Sequence, residues 1–346
     1  MTGKVALKRN RWKAVSLLFG AGMLATAAPT SAQAGIESPP EVVKIDGPIA
    51  GLKLGLLHYA SLKPGAPVVL ALHGQVLPHE ANMGFSIGGH SLLGSLTASG
   101  LDVWAMDYYG FGASDRYPEM NEPANAHPPL GQADEAADQV AAAVKYLQSR
   151  NGGQPITLLG DSGGTIIAGV YAARRPGTLS KLVIYGPVTP FSDGTQSPNQ
   201  PAYVTWEPKK LWSVFTSWAA NNPSGSDTLD QSIYDRWAAA MLDSDPASRT
   251  RNPPSIKIPN GRTLDQLPLV SGHFLYDLSR INVPTLLIMG ETDSNLVTGG
   301  QWMLGQLRNA PHRRLIVMGN GSHTMQFESE RSQLVKALAE FMLEKD

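Results

Sequence analysis

The sequence predicts an α/β protein with a doubly wound, mostly parallel sheet. Short apolar runs of strand length recur along the chain without polar alternation, as in strands covered on both faces. Longer segments with helical spacing separate several of these runs, which is the order expected of right-handed crossovers. The alternation stops between Tyr185 and Val283, a stretch too long for a simple connection. A chain of 346 residues with 42% hydrophobic content is long enough for such a core and an insertion.

The elements can be placed in order along the chain. Two antiparallel strands open it, and six apolar runs predict the strands that follow. The predicted strands are Glu41–Asp46, Leu52–Tyr59, Val68–Leu72, Leu101–Met106, Ile156–Leu159, Leu182–Tyr185, Pro284–Met289 and Arg314–Met318. The most clearly predicted helices are Gln132–Gln148, Ile166–Arg174 and Ser329–Glu344. We expect a mostly helical insertion over the strand ends, whose tryptophans either line a substrate pocket or form its own core; they are Trp206, Trp212, Trp218 and Trp237.

The N-terminal segment has the composition of a secretory signal. It begins with basic residues, continues with an apolar run over 14–28 and ends with Ala32-Gln33-Ala34, an A-x-A cleavage pattern. The run is too short and too weakly apolar for a stable membrane span. We therefore expect a cleavable signal peptide over residues 1–34, export to the periplasm or beyond the cell, and a mature chain that begins near Gly35. The predicted organisation continues with core residues 35–186, a lid or cap over 187–280 and core residues 281–346.

Composition excludes several classes of partner and chemistry. The net charge is −1, 16% of residues are charged and no basic block occurs in the body of the chain, so nucleic acid is not an expected partner. The chain has no cysteine, which excludes disulfides and cysteine nucleophiles. No cluster of histidines and carboxylates has metal-ligand spacing. We expect a small, neutral or apolar substrate and no cofactor.

The segment Gly160-Asp161-Ser162-Gly163-Gly164 carries the main chemical prediction. It lies between a predicted strand and a predicted helix, the setting of a G-x-S-x-G turn that exposes a nucleophilic serine on a strained backbone. Trypsin-like proteases share these letters, but they place His and Asp before Ser on an all-β fold. Asp161 is the alternative nucleophile, although a turn centred on it would put Leu159 where a small residue is needed. Ser162 is therefore the predicted nucleophile.

A serine hydroxyl needs a base, and the base needs an orienting carboxylate. Asp293 follows the strand that ends at Met289, and His323 follows the strand that ends at Met318. Both positions are at the carboxyl ends of parallel strands, the edge at which Ser162 is expected. Glu291 competes with Asp293 for the role of the acid. His127 in a Pro-rich loop and His273 in the insertion are expected to be structural or solvated.

An acyl-transfer site also needs two donors for the oxyanion. The Gly163 amide at the start of the helix after Ser162 is the first candidate. The second is the amide of Gln75, after the strand Val68–Leu72 and the small residue Gly74. His73 is interpreted as a buried residue that shapes this loop. The glycine-rich loop Asp107–Asp115 is interpreted as structural.

Together these pieces resemble the α/β-hydrolase family over roughly residues 45 to 345. The resemblance rests on the following residues: His73, Gly74, Gly110, Gly112, Ser114, Gly160, Ser162, Gly164, Asp293 and His323. It implies an eight-stranded sheet with a lid between strands six and seven, where the long insertion lies. Tyr109 stands where many relatives carry Arg or Pro, and Gln75 where relatives often have Gly or an aromatic residue. Because the family is chemically diverse, the substrate subclass stays open.

The resulting hypothesis is a serine hydrolase that cleaves a carboxylic ester or lactone through an acyl-enzyme. Within enzymes, the alternatives are hydrolysis of a carbon–carbon bond next to a ketone, and hydrolysis of an amide or peptide, by the same three side chains. The alternative from another class is a binding protein that retains the fold without activity.

Overall fold

An eight-stranded sheet organises the molecule, a computed structural model that describes residues 37–190, 197–222, 227–270 and 273–345. In spatial order, its strands are β1 (Glu41–Asp46), β2 (Lys53–Tyr59), β4 (Asp102–Asp107), β3 (Val68–Leu72), β5 (Ile156–Asp161), β6 (Leu179–Tyr185), β9 (Thr285–Gly290) and β10 (Arg313–Met318). β1 pairs antiparallel with β2, and β2 pairs antiparallel with β4, whereas the other neighbours are parallel. The predicted fold class, a doubly wound and mostly parallel eight-stranded sheet, is confirmed.

Each strand of this sheet begins and ends within three residues of the bounds predicted for it. Successive residues of β3 pack on opposite faces, since Leu70 and Leu72 belong to one buried cluster and Val69 and Ala71 to the other. Burial on both faces is the reason that the central strands are apolar throughout, whereas the edge strand β10 is partly exposed.

Helices cover both faces. They are α1 (Leu92–Ala98), α2 (Ala133–Arg150), α3 (Gly163–Arg174), α8 (Ser294–Gln306) and α9 (Arg331–Leu343). α1 packs near α9, and α2 packs on α3. The sequence predicted α2, α3 and α9 but did not single out α1 or α8. α1 is only seven residues long, too short for a clear helical period.

The segment between β6 and β9 contains the insertion. Its described elements are β7 (Tyr203–Trp206), α4 (Pro208–Ala220), α5 (Tyr234–Asp243), β8 (Ile256–Pro259), α6 (Gly261–Asp265) and α7 (Leu267–Val270). β7 and β8 form a small antiparallel pair, so the insertion, which was predicted to be mostly helical, also contains one strand pair. It packs within the same compact unit as the sheet.

Two predictions concern residues beyond these ranges. The signal peptide over 1–34 and the mature start near Gly35 lie outside the described residues, as do parts of the predicted lid, 191–196, 223–226 and 271–272. Within the described ranges, no helix combines the length and apolar character that crossing a membrane requires.

Candidate active site

Ser162 lies at the turn between β5 and α3. Its backbone has φ 50° and ψ −121°, a region that residues other than glycine rarely adopt. The Ser162 N–H donates to Tyr185 O at 2.9 Å, and its carbonyl accepts from the Thr165 hydroxyl at 2.6 Å. These bonds tie the strained residue to β6 and to α3, with its side chain at the carboxyl end of the sheet.

The tight turn requires small residues on both sides of the serine. A Cβ on Gly160 would lie 2.8 Å from Gly164 O, and one on Gly164 would lie 2.6 Å from His73 O. Because these neighbours are backbone atoms, they have no room to move aside. The spacing of the motif is thus a packing requirement of the strand, turn and helix.

Ser162 and His323 are in hydrogen-bonding contact. The Ser162 hydroxyl lies 2.8 Å from His323 Nε2, within the range of a good O–H···N hydrogen bond. The two residues are 161 positions apart, and they meet because both follow strands whose carboxyl ends share one edge. The structure therefore brings the predicted nucleophile and the predicted base together.

Asp293 lies on the other side of the imidazole. His323 Nδ1 is 3.3 Å from Asp293 Oδ2, so the Nδ1–H can donate to the carboxylate while Nε2 accepts from the serine. The competing acid, Glu291, is exposed and accepts from the Asn320 N–H at 3.1 Å. Of the two carboxylates, the structure places only Asp293 beside the ring.

The electrostatic surroundings favour the imidazolium form of His323. Burial disfavours a charged ring, but the negative charge and hydrogen bond of Asp293 outweigh it, so the pKa of His323 is raised. Asp161 and Glu328 add to the same effect. A base with a raised pKa accepts the serine proton more readily, which suits general-base chemistry near neutral pH.

Glu328 fixes the loop that carries His323, and the sequence reasoning did not identify it. Its buried carboxylate accepts from the Ser322 N–H at 2.9 Å, from the Ser322 hydroxyl, and from the Thr324 hydroxyl at 2.9 Å. Both neighbours of His323 are thereby tied to one side chain. The only signal in the sequence was an acidic residue five positions after His323, which alone indicates nothing.

The two predicted oxyanion donors are close together. Gly163 is the first residue of α3, so its N–H has no partner inside the helix. A Cβ on Gly163 would lie 3.3 Å from the Gln75 nitrogen, and one on Gly74 would lie 3.2 Å from Ser162 Cβ. The loop of Gly74 and Gln75 therefore packs against the turn of Ser162 and Gly163, near the point where a tetrahedral intermediate would need donors.

The site opens into a cavity of about 130 Å³. Its apolar wall includes Leu211, Phe215 and Trp218 of α4, and the Trp218 ring centroid lies 4.9 Å from that of His323. These positions are four and three residues apart, so they share one face of the helix. That apolar spacing was the available signal for the pocket side of the insertion.

Polar side chains, among them Asn82, Asp161 and Gln326, line another part of the cavity. Asn82 donates to Asp161 Oδ2 at 2.6 Å and accepts from Gln326 Nε2 at 2.7 Å, while Gln326 accepts from the Tyr185 hydroxyl at 2.5 Å. Burial raises the pKa of Asp161 to about 6, against the opposing effects of His323 and the Asn82 hydrogen bond. Asp161 thus lines the pocket as part of a buried network, with its carboxylate engaged.

The remaining predicted candidates lie elsewhere. His127 pairs with Glu122 at 2.6 Å on the surface, and His273 is exposed. His73 is fully buried, with its Nδ1–H on Gly74 O at 2.9 Å. In the part of the chain that the structure describes, no group of three or more His, Asp or Glu side chains is arranged to hold a metal ion.

Comparison with known proteins identifies the family. A profile of the family described as serine aminopeptidase, S33, matches residues 86–330, a range that contains Ser162, Asp293 and His323. The chain belongs to this family. The match makes it a hydrolase of the α/β-hydrolase superfamily, as the resemblance in the sequence indicated. A search among curated proteins found no match to the sequence.

Solved structures of α/β hydrolases share the fold of this S33 family member. A probable hydrolytic enzyme from Pseudomonas aeruginosa PAO1 has a TM-score of 0.60 and 20% identity, covering 89% of this chain and 95% of that one. An esterase from Exiguobacterium antarcticum has a TM-score of 0.57 and 20% identity, with coverages of 87% and 99%. A 2-hydroxy-6-oxo-6-phenylhexa-2,4-dienoate hydrolase from Rhodococcus sp. strain RHA1 has a TM-score of 0.56 and 16% identity, with the same coverages, 87% and 99%. At these identities the likeness shows the fold and leaves the substrate open.

Proposed function

We propose that this chain is an exported serine hydrolase that cleaves a carboxylic ester or lactone of a small, neutral or apolar substrate. The observation that carries the proposal is the 2.8 Å contact between the Ser162 hydroxyl and His323 Nε2, with Asp293 on the opposite ring nitrogen. A nucleophile, a base and an orienting acid in this order are the minimum set for acyl transfer.

In the first half of the reaction, Ser162 Oγ attacks the ester carbonyl while its proton passes to His323 Nε2. The charge of Asp293 stabilises the imidazolium that forms. The carbonyl oxygen becomes an oxyanion held by the Gly163 and Gln75 N–H groups, each contributing on the order of 3 kcal/mol to lowering the barrier. The tetrahedral intermediate collapses, the leaving oxygen takes the proton from His323, and the alcohol departs from an acyl-enzyme.

In the second half, water replaces the alcohol. His323 Nε2 takes one proton from the water as its oxygen attacks the acyl carbonyl, and the same two amides hold the second oxyanion. Collapse of this intermediate breaks the bond to Ser162 Oγ, which regains the proton from His323. The carboxylic acid is released and the enzyme returns to its starting state, so no cofactor enters the scheme.

The cavity supports a small substrate. Its volume of about 130 Å³ is close to that of an engineered cavity of about 150 Å³ that holds benzene. Among its described lining residues there is no Lys or Arg, so an anionic acyl group would lack a charge partner. Short, neutral acyl groups fit both the volume and the apolar wall of α4.

The decisive experiment combines an active-site probe with a matched pair of serine variants. We expect a fluorophosphonate to label wild-type protein at Ser162, and S162A to lose labelling and to lower kcat by about 10⁴-fold or more. S99A, which removes an exposed hydroxyl at the end of α1, should keep wild-type labelling and turnover. Intact, folded wild-type protein that resists the probe would instead favour a binding protein on a hydrolase fold.

A substrate panel separates the reaction types. Short-chain aryl esters, lactones, β-diketones and aminoacyl anilides are compared by kcat/KM, with S162A as the blank. The proposal expects the esters or lactones to rank first. A β-diketone in first place would indicate carbon–carbon bond hydrolysis, and an anilide in first place would indicate an amidase.

Export is a separate part of the proposal and has its own test. The basic start, the apolar run over 14–28 and the A-x-A pattern at Ala32–Ala34 support a cleavable signal. Expression of the full chain in a bacterial host should yield protein outside the cytoplasm whose N-terminal sequence begins near Gly35. Recovery of the uncleaved chain from the cytoplasm alone would refute this part and leave the hydrolase proposal intact.

A further inference from the structure

Arg262 of α6 is a buried cation in the insertion. The residue is 4% exposed, and none of the ion pairs formed within the described ranges includes it. Its guanidinium carbon lies 4.0 Å from the Tyr108 ring centroid and 5.3 Å from that of Phe111. Burying a charge without an ion-pair partner is costly. The charge of Asp265 favours the cation, and hydrogen bonds to the guanidinium stabilise it further.

The guanidinium is bonded to the loop after β3. Arg262 Nη1 donates a hydrogen bond to Gly74 O and lies 3.3 Å from His73 O. Gly74 O also accepts from His73 Nδ1–H at 2.9 Å, and the His73 ring stays neutral because burial and then the charge of Arg262 lower its pKa. Two donors, one of them charged, therefore meet at one carbonyl oxygen.

That oxygen belongs to the peptide unit whose N–H is the Gln75 amide. Since the peptide group is planar and conjugated, a donor on the oxygen both fixes the plane of the unit and draws electron density from the nitrogen. Hydrogen bonds in such a chain strengthen one another, most of all when a donor carries charge and the surroundings are dry. The Gln75 N–H is thereby made a better donor to an oxyanion.

We propose that Arg262 is a positioning residue for catalysis, which orients and polarises the Gly74–Gln75 peptide so that its N–H stabilises the oxyanion. The inference rests on the proposed function and deepens it, because it assigns part of the oxyanion hole to the insertion. Arg262 touches no reacting atom in this scheme and acts through the peptide.

Neighbouring contacts fix the same loop from the same side. The Gln75 side chain donates to the Thr263 hydroxyl at 2.9 Å and accepts from Gln266 Nε2 at 2.6 Å. Arg262, Thr263 and Gln266 lie within one short stretch of the insertion. This stretch therefore holds both the main chain and the side chain of the predicted oxyanion donor, while β3 supplies only the approach to the loop.

The test replaces the cation by an apolar side chain of similar length. In R262M we expect kcat for a short aryl ester, and the rate constant for fluorophosphonate inactivation, each to fall by about 10- to 100-fold, while KM changes by less than about threefold. An inhibitor that forms a tetrahedral adduct with Ser162, such as a trifluoromethyl ketone, should lose affinity by the same factor as kcat.

Arg116 provides a matched control. It is half-buried and donates to the carbonyls of Gly112 at 3.2 Å, Ser114 at 2.9 Å and Ser244 at 2.8 Å, away from the oxyanion peptide. R116M should lower thermal stability without a selective loss of kcat or adduct affinity. Equal losses of kcat in folded R116M and R262M would overturn the proposal, since they would reveal a general effect of removing a buried arginine.

A second variant covers the case in which R262M does not fold. R262Q keeps a neutral hydrogen-bond donor. The proposal is supported if kcat and adduct affinity fall in R262Q by less than the factor expected of R262M. It is overturned if kcat and adduct affinity both stay at their wild-type values. The rate of phosphonate inactivation depends on the oxyanion hole, whatever the natural substrate is. This test therefore remains valid even if the natural substrate is not an ester. Wild-type protein that is not labelled at all would overturn the proposed function and this inference together.

Discussion

The sheet and the insertion contribute to one site in different ways. The sheet provides Ser162 directly after β5, and Asp293 and His323 in the loops that follow β9 and β10, all at one edge. The insertion contributes Trp218 to the pocket wall and Arg262 to the loop of the predicted oxyanion donor. The comparison indicates that the loops after the strands carry the candidate reactive side chains. The insertion instead shapes the pocket and places a positive charge near it.

The tryptophans show that the insertion itself has two sides. Trp218 faces the cavity beside His323. Trp237 is fully buried and donates from Nε1 to Ala81 O at 3.0 Å, and its ring lies 4.9 Å from that of Trp212. The tryptophans were predicted either to line a pocket or to form the core of the insertion. Trp218 does the first, and Trp212 and Trp237 do the second.

The largest expected effect tests the contribution of the sheet. In D293N the imidazole loses the carboxylate that orients it and stabilises its charge, so we expect kcat to fall by about 10³- to 10⁴-fold. E291Q is the matched control, because it neutralises an exposed carboxylate two residues earlier. Steady-state kinetics on one aryl ester compare them, and a greater loss in E291Q would transfer the role of the acid to Glu291.

A smaller effect separates the two sides of the insertion. W237A removes a buried ring and should lower the free energy of unfolding by about 3–5 kcal/mol, measured by chemical denaturation. W218A should change that stability little, but it should lower kcat/KM for acetyl esters by about tenfold and shift preference toward longer acyl chains. If both variants changed stability alone, α4 would belong to the core and not to the pocket.

The smallest expected effect is a shift with pH. Since the neutral ring is the base and its pKa is raised by Asp293 and Asp161, kcat/KM should fall on acidification at a pH above the ordinary histidine value of about 6.5. D161N removes one of these negative charges, so the fall of kcat/KM on acidification should occur at a lower pH in this variant than in the wild type. If kcat/KM of D161N fell at the same pH as in the wild type, or at a higher pH, Asp161 would not raise the pKa of His323.

Much of the fold, and the choice of Ser162, Asp293 and His323 as candidates, followed from local pattern. Continuous apolar runs identified six of the eight strands, and the G-x-S-x-G turn identified Ser162 as the candidate nucleophile, because both depend on neighbours in the chain. Glu328 and Arg262 were not identified. Glu328 lies only five residues after His323, but an acidic residue at that spacing does not indicate that it bonds back to Ser322 and Thr324. Arg262 acts on a loop far away in sequence, 188 residues from Gly74. No periodicity relates such pairs, and neither residue type is unusual where it stands.

By itself, the sequence determined the alternation of strands and helices, the placement of three chemical groups after three strands, and the exclusion of cysteine chemistry. Those properties depend on backbone geometry and residue type, which operate over a few residues. Only the tertiary structure decided that Asp293 rather than Glu291 faces the ring, and which tryptophan lines the cavity. It also decided that the buried Arg262 binds the loop of the predicted oxyanion donor. Such choices depend on packing between segments that meet only when the whole chain is folded.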